Sequence, residues 1–358
     1  MKSWPTKKLG EICDLERGTE PGSAFYTEAS NKSIPFLRVG DLTGKVDAKR
    51  FVKKSNNNLQ VVNKNETLIT FDGTPGIVVR GFSGAIASGI RVIRNLKPEI
   101  NGDFLFYYLQ TPVVQKTIKA YSKGATIIHA SAAIPHIKIS LPPLKIQKQI
   151  VGRLDKIAEA QKLNDELIQK ADELFQSLLH KEIQSQKGWE TKKLEEIVDI
   201  NYGKGLEKSY RKENGKYYAY GSNGPVYRTD KILIEELTII VGRKGGAGLL
   251  WMTEEPSWPI DTTFYLRVKD RSNTDLNFLY FSLQTKNLPK LAIVTAVPGI
   301  NRSTLYNVKI SLPPLKIQKQ IVEKLSAVQN YKKKLLEQKQ KLQELFESVL
   351  NKSFKEGL

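Results

Sequence analysis

The chain has 358 residues, with 56 lysines and arginines against 37 aspartates and glutamates, a formal net charge of +19. This excess indicates a polyanionic partner such as DNA, because cations that neutralise phosphates release counterions and supply sequence-independent affinity. Cys13 is the only cysteine, which excludes an intrachain disulfide and a cysteine zinc cluster. No apolar run approaches the roughly 20 residues that cross a bilayer, so we expect a cytoplasmic protein with no membrane partner.

Residues 1–143, here called lobe 1, are predicted to form a compact α/β domain. The β-rich run 67–71 stops at Asp72-Gly73, and 90–94 is a second strand candidate. Residues 103–111 are rich in Phe, Tyr and Leu and predict a short buried helix. The order of the strands does not follow from these patterns.

Residues 144–187 are predicted to form a long helix. Pro142-Pro143 precedes a stretch without proline, and proline favours the first turn of a helix while disfavouring helix before itself. Apolar residues then follow a 4-3 spacing from Ile150 to Leu178, interrupted by Gln161 and Asn164. Such a seam needs an apolar partner.

The second half of the chain repeats this organisation. Lobe 2, residues 188–314, has strand candidates at 237–241 and 263–268 and a buried-helix candidate at 276–285. A second long helix is predicted for 315–358. Residues 138–151 and 309–322 are identical at all fourteen positions, which establishes an internal duplication.

The two predicted helices carry their apolar seams in one register and would each be about 55 Å long at 1.5 Å per residue. We therefore predict an α/β protein with a pseudo-twofold internal repeat. Its two globular domains are separated by two long helices that form an antiparallel coiled coil.

Glycine-rich turns that carry cations and amides are the candidate DNA contacts, because such backbone approaches closely while its side chains reach phosphates or base edges. The candidate DNA-binding residues are Arg38, Arg80, Ser83, Arg91, Lys123, Thr126, Lys204, Tyr220, Ser222, Asn223, Arg243, Lys244 and Arg302.

Catalytic motifs are scarce. Asp47-Ala48-Lys49 matches the D/E-x-K triplet of metal-dependent nucleases, a pattern common by chance, and both diprolines lack the acceptor side chain that an amino-group methyltransferase needs. The three histidines have no metal-ligand spacing. We expect neither a catalytic residue nor a metal ligand in this chain.

The pattern resembles the specificity (S) subunits of type I restriction-modification enzymes. The resemblance covers nearly the whole chain, and its most specific element is the duplicated Leu-Pro-Pro-Leu-x-x-Gln-x-x-Ile. Its other carriers are Lys8–Ile12 with its echo Lys193–Ile197, and Ile34–Leu42, Gly221–Gly224, Val241–Gly245 and Asp261–Leu266. Lobe 1 departs from the form seen in lobe 2, since Phe71–Gly76 lacks the Arg-Lys pair.

The resemblance implies two target recognition domains, 1–143 and 188–314, each reading one half of a split double-stranded DNA target, and two conserved helices that set the spacing. It implies a non-catalytic subunit that binds no cofactor itself. Two modification subunits would bring S-adenosylmethionine, and restriction subunits would bring ATP and magnesium. Docking is expected on outer helix faces that include 145–149 and 316–320, and the unlike lobes predict dissimilar half-sites.

Two alternatives remain open from the sequence. The chain could be the specificity component of a related restriction system with a different catalytic partner. It could also be a coiled-coil scaffold whose lobes bind protein.

Overall fold

The computed structural model describes residues 4–43, 50–56, 58–184, 188–293 and 296–355. The chain divides into two compact units. The first runs to Asn164 and resumes at Gln338, and the second runs from Asp165 to Glu337. Each unit thus combines one lobe with part of both long helices, whereas the domains predicted from the sequence keep each helix whole.

Lobe 1 contains thirteen strands and three short α-helices in its described residues. The strands are β1 Thr6–Lys8, β2 Asp14–Arg17, β3 Tyr26–Thr27, β4 Ser33–Leu37, β5 Phe51–Lys53, β6 Val61–Val62, β7 Leu68–Thr70, β8 Asp72–Gly73, β9 Val78–Val79, β10 Gly84–Ile86, β11 Ile90–Arg94, β12 Ile128–His129 and β13 Lys138–Ser140. The helices are α1 Leu9–Ile12, α2 Gly102–Leu109 and α3 Pro112–Ala120. The long helix α4, Leu144–Ile183, follows.

Lobe 2 has nine strands and three short α-helices in its described part. The strands are β14 Glu190–Lys193, β15 Val198–Tyr202, β16 Tyr217–Gly221, β17 Gly224–Thr229, β18 Ile239–Gly242, β19 Leu250–Met252, β20 Ser257–Pro259, β21 Thr263–Val268 and β22 Lys309–Leu312. The helices are α5 Leu194–Ile197, α6 Leu276–Gln284 and α7 Arg302–Tyr306, and the long helix α8, Leu315–Lys355, follows.

The lobes share the topology of a four-stranded sheet and of a two-stranded ribbon, and they differ in a second sheet, which has five strands in lobe 1 and three in lobe 2. A four-stranded antiparallel sheet has the order β2-β11-β7-β9 in lobe 1 and β15-β21-β18-β19 in lobe 2. A second sheet contains one parallel pair, β4 with β10 and β16 with β20. A two-stranded ribbon joins each lobe's first and last strand, β1 with β13 and β14 with β22. Equivalent residues of the lobes can therefore be assigned from strand pairing together with the main-chain hydrogen bonds of the turns.

Both long helices begin directly after the diprolines, as the sequence predicts, and a buried glutamine fixes each start. Gln147 is fully buried; its Oε1 accepts from the Asn101 main-chain N, and its Nε2 donates to the carbonyls of Glu99 and Pro142, all at 2.8 Å. Gln318 bonds in the same way to Asp275, Asn273 and Pro313. Since Asn101 and Asp275 are the N-caps of α2 and α6, each glutamine ties a long helix to a short one.

In each unit the long helices pack together with antiparallel directions. In the first unit Gln161 Nε2 donates to Gln343 Oε1 at 3.2 Å, and Leu154 of α4 shares a core with Leu350 of α8. In the second unit Lys324 bonds Glu182, and core side chains from the end of α4 and the start of α8 meet α6. The predicted α/β fold with a helical coiled coil is confirmed.

Candidate nucleic-acid interface

Four segments of lobe 2 meet where β15, β16 and β18 end and β21 begins. This surface, here called loop face 2, comprises residues 202–204, 221–224, 243–248 and 298–302. The Gly245 N donates to the Pro298 carbonyl at 2.9 Å, and the Ile300 N donates to the Arg243 carbonyl at 3.0 Å. A Cβ at Gly246 would lie 2.3 Å from Asn223 Oδ1, so the loops are closely packed.

The turn 242–248 requires its glycines. Gly245 and Gly248 have φ of +80° and +81°, which side chains adopt only with strain. The Gly248 N closes the turn on the Gly242 carbonyl at 2.8 Å. The turn thereby holds Arg243 and Lys244 at the edge of the sheet.

Loop face 2 presents cations around one exposed ring. Arg243 Nε and Nη2 donate to the Asp261 carbonyl at 3.1 and 2.7 Å. The Arg243 and Arg302 guanidinium carbons lie 5.4 and 5.2 Å from the centroid of the Tyr202 ring. Within the described ranges, Lys204, Arg243, Lys244 and Arg302 form no ion pair, so their charges are available to an anion.

Lobe 1 builds the same turn from other residues. The Gly76 N donates to the Thr70 carbonyl at 2.8 Å, and Gly73 and Gly76 have φ of +80° and +93°. The Ala130 N donates to the Phe71 carbonyl at 2.7 Å, as the Ile300 N does to Arg243. Loop face 1 comprises the equivalent segments 17–19, 38–41, 71–76 and 128–132.

The side chains of loop face 1 differ from those of loop face 2. Asp72 stands where lobe 2 has Lys244, and its Oδ1 lies 2.8 Å from His129 Nδ1. Its Oδ2 lies 3.6 Å from Arg17 Nη2 and 4.0 Å from Arg91 Nη2. Arg17 and His129 are exposed, whereas Asp72 is buried. The two faces therefore offer different polar groups on one backbone.

Seven of the predicted residues lie on or directly behind loop face 2. Lys204, Asn223, Lys244 and Arg302 are exposed and Arg243 is half-buried. The predicted Tyr220 and Ser222 are 5% exposed. Burial raises the pKa of Tyr220, and Ser222 Oγ donates to the Thr262 carbonyl at 2.6 Å. These two side chains support the face from inside.

In lobe 1 the structure places Arg38 on loop face 1 and Lys123 and Thr126 near it, all exposed. Arg38 donates from its main chain to Asp41 and from Nη2 to the Tyr26 hydroxyl. Lys123 opens the hairpin that ends at His129 and includes Thr126.

Arg91 lies behind loop face 1 and is 5% exposed. Its Nη1 donates to the Ser88 carbonyl at 2.6 Å and its Nη2 to Ser131 Oγ at 3.1 Å. Burial, and then the charge of Arg17, lower the pKa of Arg91, while Asp72 opposes this shift. Its guanidinium is part of the interior of the lobe.

The structure does not bring Arg80 and Ser83 to loop face 1. Arg80 follows β9 at the opposite end of β7. Its Nε donates to Thr67 Oγ1 and its Nη2 to the Gly102 carbonyl, and it pairs with Asp103. The contact of Arg80 and Ser83 with DNA stays a prediction that the structure does not test.

Sequence reasoning did not single out Arg17, His129 or Tyr202, which lie outside the glycine-rich turns. It also did not identify two arginine–tyrosine pairs in and beside the β16–β17 hairpin. Arg228 lies 3.7 Å above the Tyr218 ring and Arg211 lies 4.2 Å above the Tyr227 ring. The signal available was the tyrosine-rich run 217–220 beside Arg211 and Arg228.

Groups that could hold a metal ion are not found among the described residues. The Asp47-Ala48-Lys49 triplet lies outside them. In the described part of the chain no helix has the length and apolarity that a membrane span requires.

The α/β lobe is duplicated, each copy has a loop face that carries cations, and long paired helices connect the copies. These features define a DNA-recognition protein. A family model described as the type I restriction modification DNA specificity domain matches residues 1–173 and again 186–345. The chain belongs to this family and is a specificity subunit that recognises a DNA target.

Two relatives illustrate the match in sequence. The type I restriction enzyme MjaVIII specificity subunit of Methanocaldococcus jannaschii is 28% identical over 400 aligned positions, covering 98% of this chain and 91% of the relative. A putative type I specificity subunit, S.MpnORF285P of Mycoplasma pneumoniae, is 26% identical over 145 positions, covering 39% of this chain and 47% of its own.

Solved structures share the fold over the full length. The S subunit of a type I restriction-modification system from M. genitalium has a TM-score of 0.65 at 17% identity, with 99% of this chain and 97% of that chain covered. A chain from a structural study of complex assembly and conformational transition in the type I R-M system has a TM-score of 0.63 at 18% identity. It covers 100% of this chain and 99% of its own.

Proposed function

We propose that each lobe reads one half of a bipartite double-stranded DNA target through its loop face. The observation that carries this proposal is the turn at 70–76 and 242–248, which has matched hydrogen bonds and matched positive φ angles in both lobes but different side chains. A shared backbone places the readers, and unlike side chains read unlike bases. The half-sites are therefore dissimilar.

The experiment uses the chain co-purified with its modification subunit and a random-sequence duplex library. The expected result is enrichment of a split, non-palindromic target whose affinity falls steeply with salt. A split target without methyl transfer would favour a different catalytic partner. Binding that ignores DNA sequence would overturn the proposal and favour a protein-binding scaffold.

The chain is proposed to be non-catalytic and to bind no cofactor of its own. S-adenosylmethionine would be bound by the modification subunits, and ATP and magnesium by the restriction subunits. The purified chain alone should then show neither methyl transfer nor DNA cleavage, and adding the modification subunit should restore methylation. Activity of the isolated chain would contradict this assignment.

Partner docking is proposed on the repeated motif, one modification subunit at each copy. Packing explains why buried positions such as Gln147 and Gln318 carry the same residue in both copies of the motif. It does not explain why the exposed positions are also the same. Two lysines and one glutamine are exposed in each copy, namely Lys145, Lys148 and Gln149 in the first and Lys316, Lys319 and Gln320 in the second. Two identical surfaces fit two copies of one partner.

Charge reversal tests this docking. Lys145→Glu with Lys148→Glu should leave a complex with one modification subunit per chain, and adding Lys316→Glu with Lys319→Glu should leave none. Lys156→Glu is the control, because Lys156 is exposed on α4 and its counterpart on α8 is Ala327. Unchanged stoichiometry in the fourfold variant would refute docking at these residues.

The helix pair is proposed to set the number of unread base pairs between the half-sites, since α4 leads from lobe 1 to lobe 2. Seven residues added to both α4 and α8 lengthen each by about 10 Å, or about three base pairs at 3.4 Å each. The half-sites should stay the same while the spacer grows. An unchanged spacer in a folded variant would contradict the proposal.

A further inference from the structure

In each lobe one arginine donates from its Nε to an equivalent main-chain carbonyl at the loop face. In lobe 2 the Asp261 carbonyl accepts from Arg243 Nε and Nη2. In lobe 1 the Ser88 carbonyl accepts from Arg17 Nε at 3.0 Å, and it also accepts from Nη1 of the buried Arg91 at 2.6 Å. Ser88 and Asp261 are equivalent, because the next residues, Gly89 and Thr262, accept the same two hydrogen bonds from the turns.

The two arginines nevertheless occupy different positions in the fold. Arg17 ends β2 and pairs with Arg91 of β11, and the residue in its place in lobe 2 is Tyr202, which pairs with Phe264 of β21.

Arg243 belongs to the turn, and the residue in its place in lobe 1 is Phe71. The carbonyl of each accepts the equivalent hydrogen bond, from Ala130 N in lobe 1 and from Ile300 N in lobe 2. Arginine and aromatic residue have thus exchanged positions between the lobes.

Anchoring leaves the end of each guanidinium available. Arg17 uses Nε on the Ser88 carbonyl, and its Nη2 is 3.6 Å from Asp72 Oδ2, beyond hydrogen-bond distance. Its side chain is 60% exposed. A guanidinium held at one edge retains a parallel pair of N–H donors, the arrangement that binds O6 and N7 of guanine in the major groove.

We propose that Arg17 in lobe 1 and Arg243 in lobe 2 are specificity-determining residues that each read one guanine, in their respective half-sites. This inference rests on the proposed function and names the readers within it. Asp72 is a positioning residue, because its buried carboxylate lies beside the Arg17 guanidinium and receives the His129 ring on its other oxygen.

The test repeats library selection with single variants in complex with the modification subunit. Arg17→Ala should abolish the guanine preference at one position of one half-site, lowering discrimination there by about 5- to 150-fold. Arg243→Ala should do the same in the other half-site only. Arg17→Lys should fail as Arg17→Ala does, because lysine retains the charge but not the paired donors.

Matched controls remove a cation at the opposite end of the same sheets. These are Lys97→Ala after β11 and Arg271→Ala after β21, the latter in an exposed pair with Glu236. Neither should alter any base preference. Asp72→Asn keeps the shape of the side chain and should weaken the same preference as Arg17→Ala, leaving the other half-site unchanged.

Two outcomes would overturn the inference alone, and a third would overturn the proposed function on which it rests. Equal weakening on all sequences, with a smaller dependence of affinity on salt, would show that the arginines contact phosphate. Unchanged preference in Arg17→Ala and Arg243→Ala would show that other residues read the bases. A wild-type complex with no sequence preference would instead overturn the proposed function itself, which distinguishes the two failures.

Discussion

Replacing Gln147 with alanine should destabilise the first unit, although the residue lies in a lysine-rich segment that looks exposed in the sequence. Gln147 is fully buried and makes three hydrogen bonds of 2.8 Å to the main chain. They tie the start of α4 to the N-terminus of α2 and to the diproline. Alanine removes all three and leaves their backbone partners without a bond.

The expected loss of unfolding free energy comes from the backbone groups that are left without a hydrogen-bond partner. A buried polar group left without its partner costs about 1–3 kcal/mol, and three such groups would cost up to about 9 kcal/mol if none rearranged. Water entering the space of the lost side chain satisfies part of this deficit. We therefore expect a loss of about 3–5 kcal/mol, which corresponds to a fall in Tm of roughly 6–20 °C for a unit of this size.

Differential scanning calorimetry with a matched control tests the value. Gln149→Ala changes the same residue type two positions along the same helix, where the side chain is exposed, and should change stability by less than about 0.5 kcal/mol. Gln318→Ala and Gln320→Ala form the same pair in the second unit. Equal Tm values for Gln147→Ala and Gln149→Ala would refute the reasoning.

Three further changes test packing and protonation. Burial, and then the charge of Asp14, raise the pKa of Cys13 to about 12, so the thiol stays protonated at pH 8. Iodoacetamide should therefore alkylate Cys13 only when denaturant unfolds the protein, which mass spectrometry would detect. Tyr107→Phe removes the 2.7 Å bond to Asp155 and should lower the unfolding free energy by about 1 kcal/mol in urea titration; no change would mean that water replaces the bond. Phe354→Ala removes a ring 5.1 Å from both Phe104 and Tyr108 and should cost about 3 kcal/mol by the same assay, whereas a negligible loss would show that the end of α8 does not support the core.

The elements could be predicted from sequence because their signals are local. Strand candidates at 90–94 and 263–268 are strands at those residues, and both diprolines are followed at once by the long helices. The two buried glutamines were missed for the same reason. Hydrophobic periodicity treats glutamine as a surface residue, and only the tertiary contacts of Gln147 reveal its satisfied amide.

The loop faces were predicted less completely, because residue type in a turn does not determine side-chain direction. Tyr220 is buried since β16 is the central strand of its sheet, between β17 and β20. Arg80 sits beside glycine as a DNA-contacting arginine would, yet its donors are bonded to Thr67 and Gly102. Arg17 ends an ordinary Asp-Leu-Glu-Arg strand, and nothing local marks its position next to the turn.

If Arg17 and Arg243 read bases as proposed, the exchange of arginine and aromatic residue explains how one backbone can serve two unlike targets. The anchoring carbonyl belongs to the main chain, at Ser88 in lobe 1 and Asp261 in lobe 2, so it is supplied by the fold whatever side chains surround it. An arginine long enough to reach it can start from the end of a strand, as Arg17 does, or from the turn, as Arg243 does. The two origins bring the guanidinium to the carbonyl from different directions and would let each arginine read a guanine at a different position of its half-site. Comparing the lobes position by position would pair Arg17 with Tyr202 and conceal this equivalence, whereas comparing their hydrogen bonds reveals it.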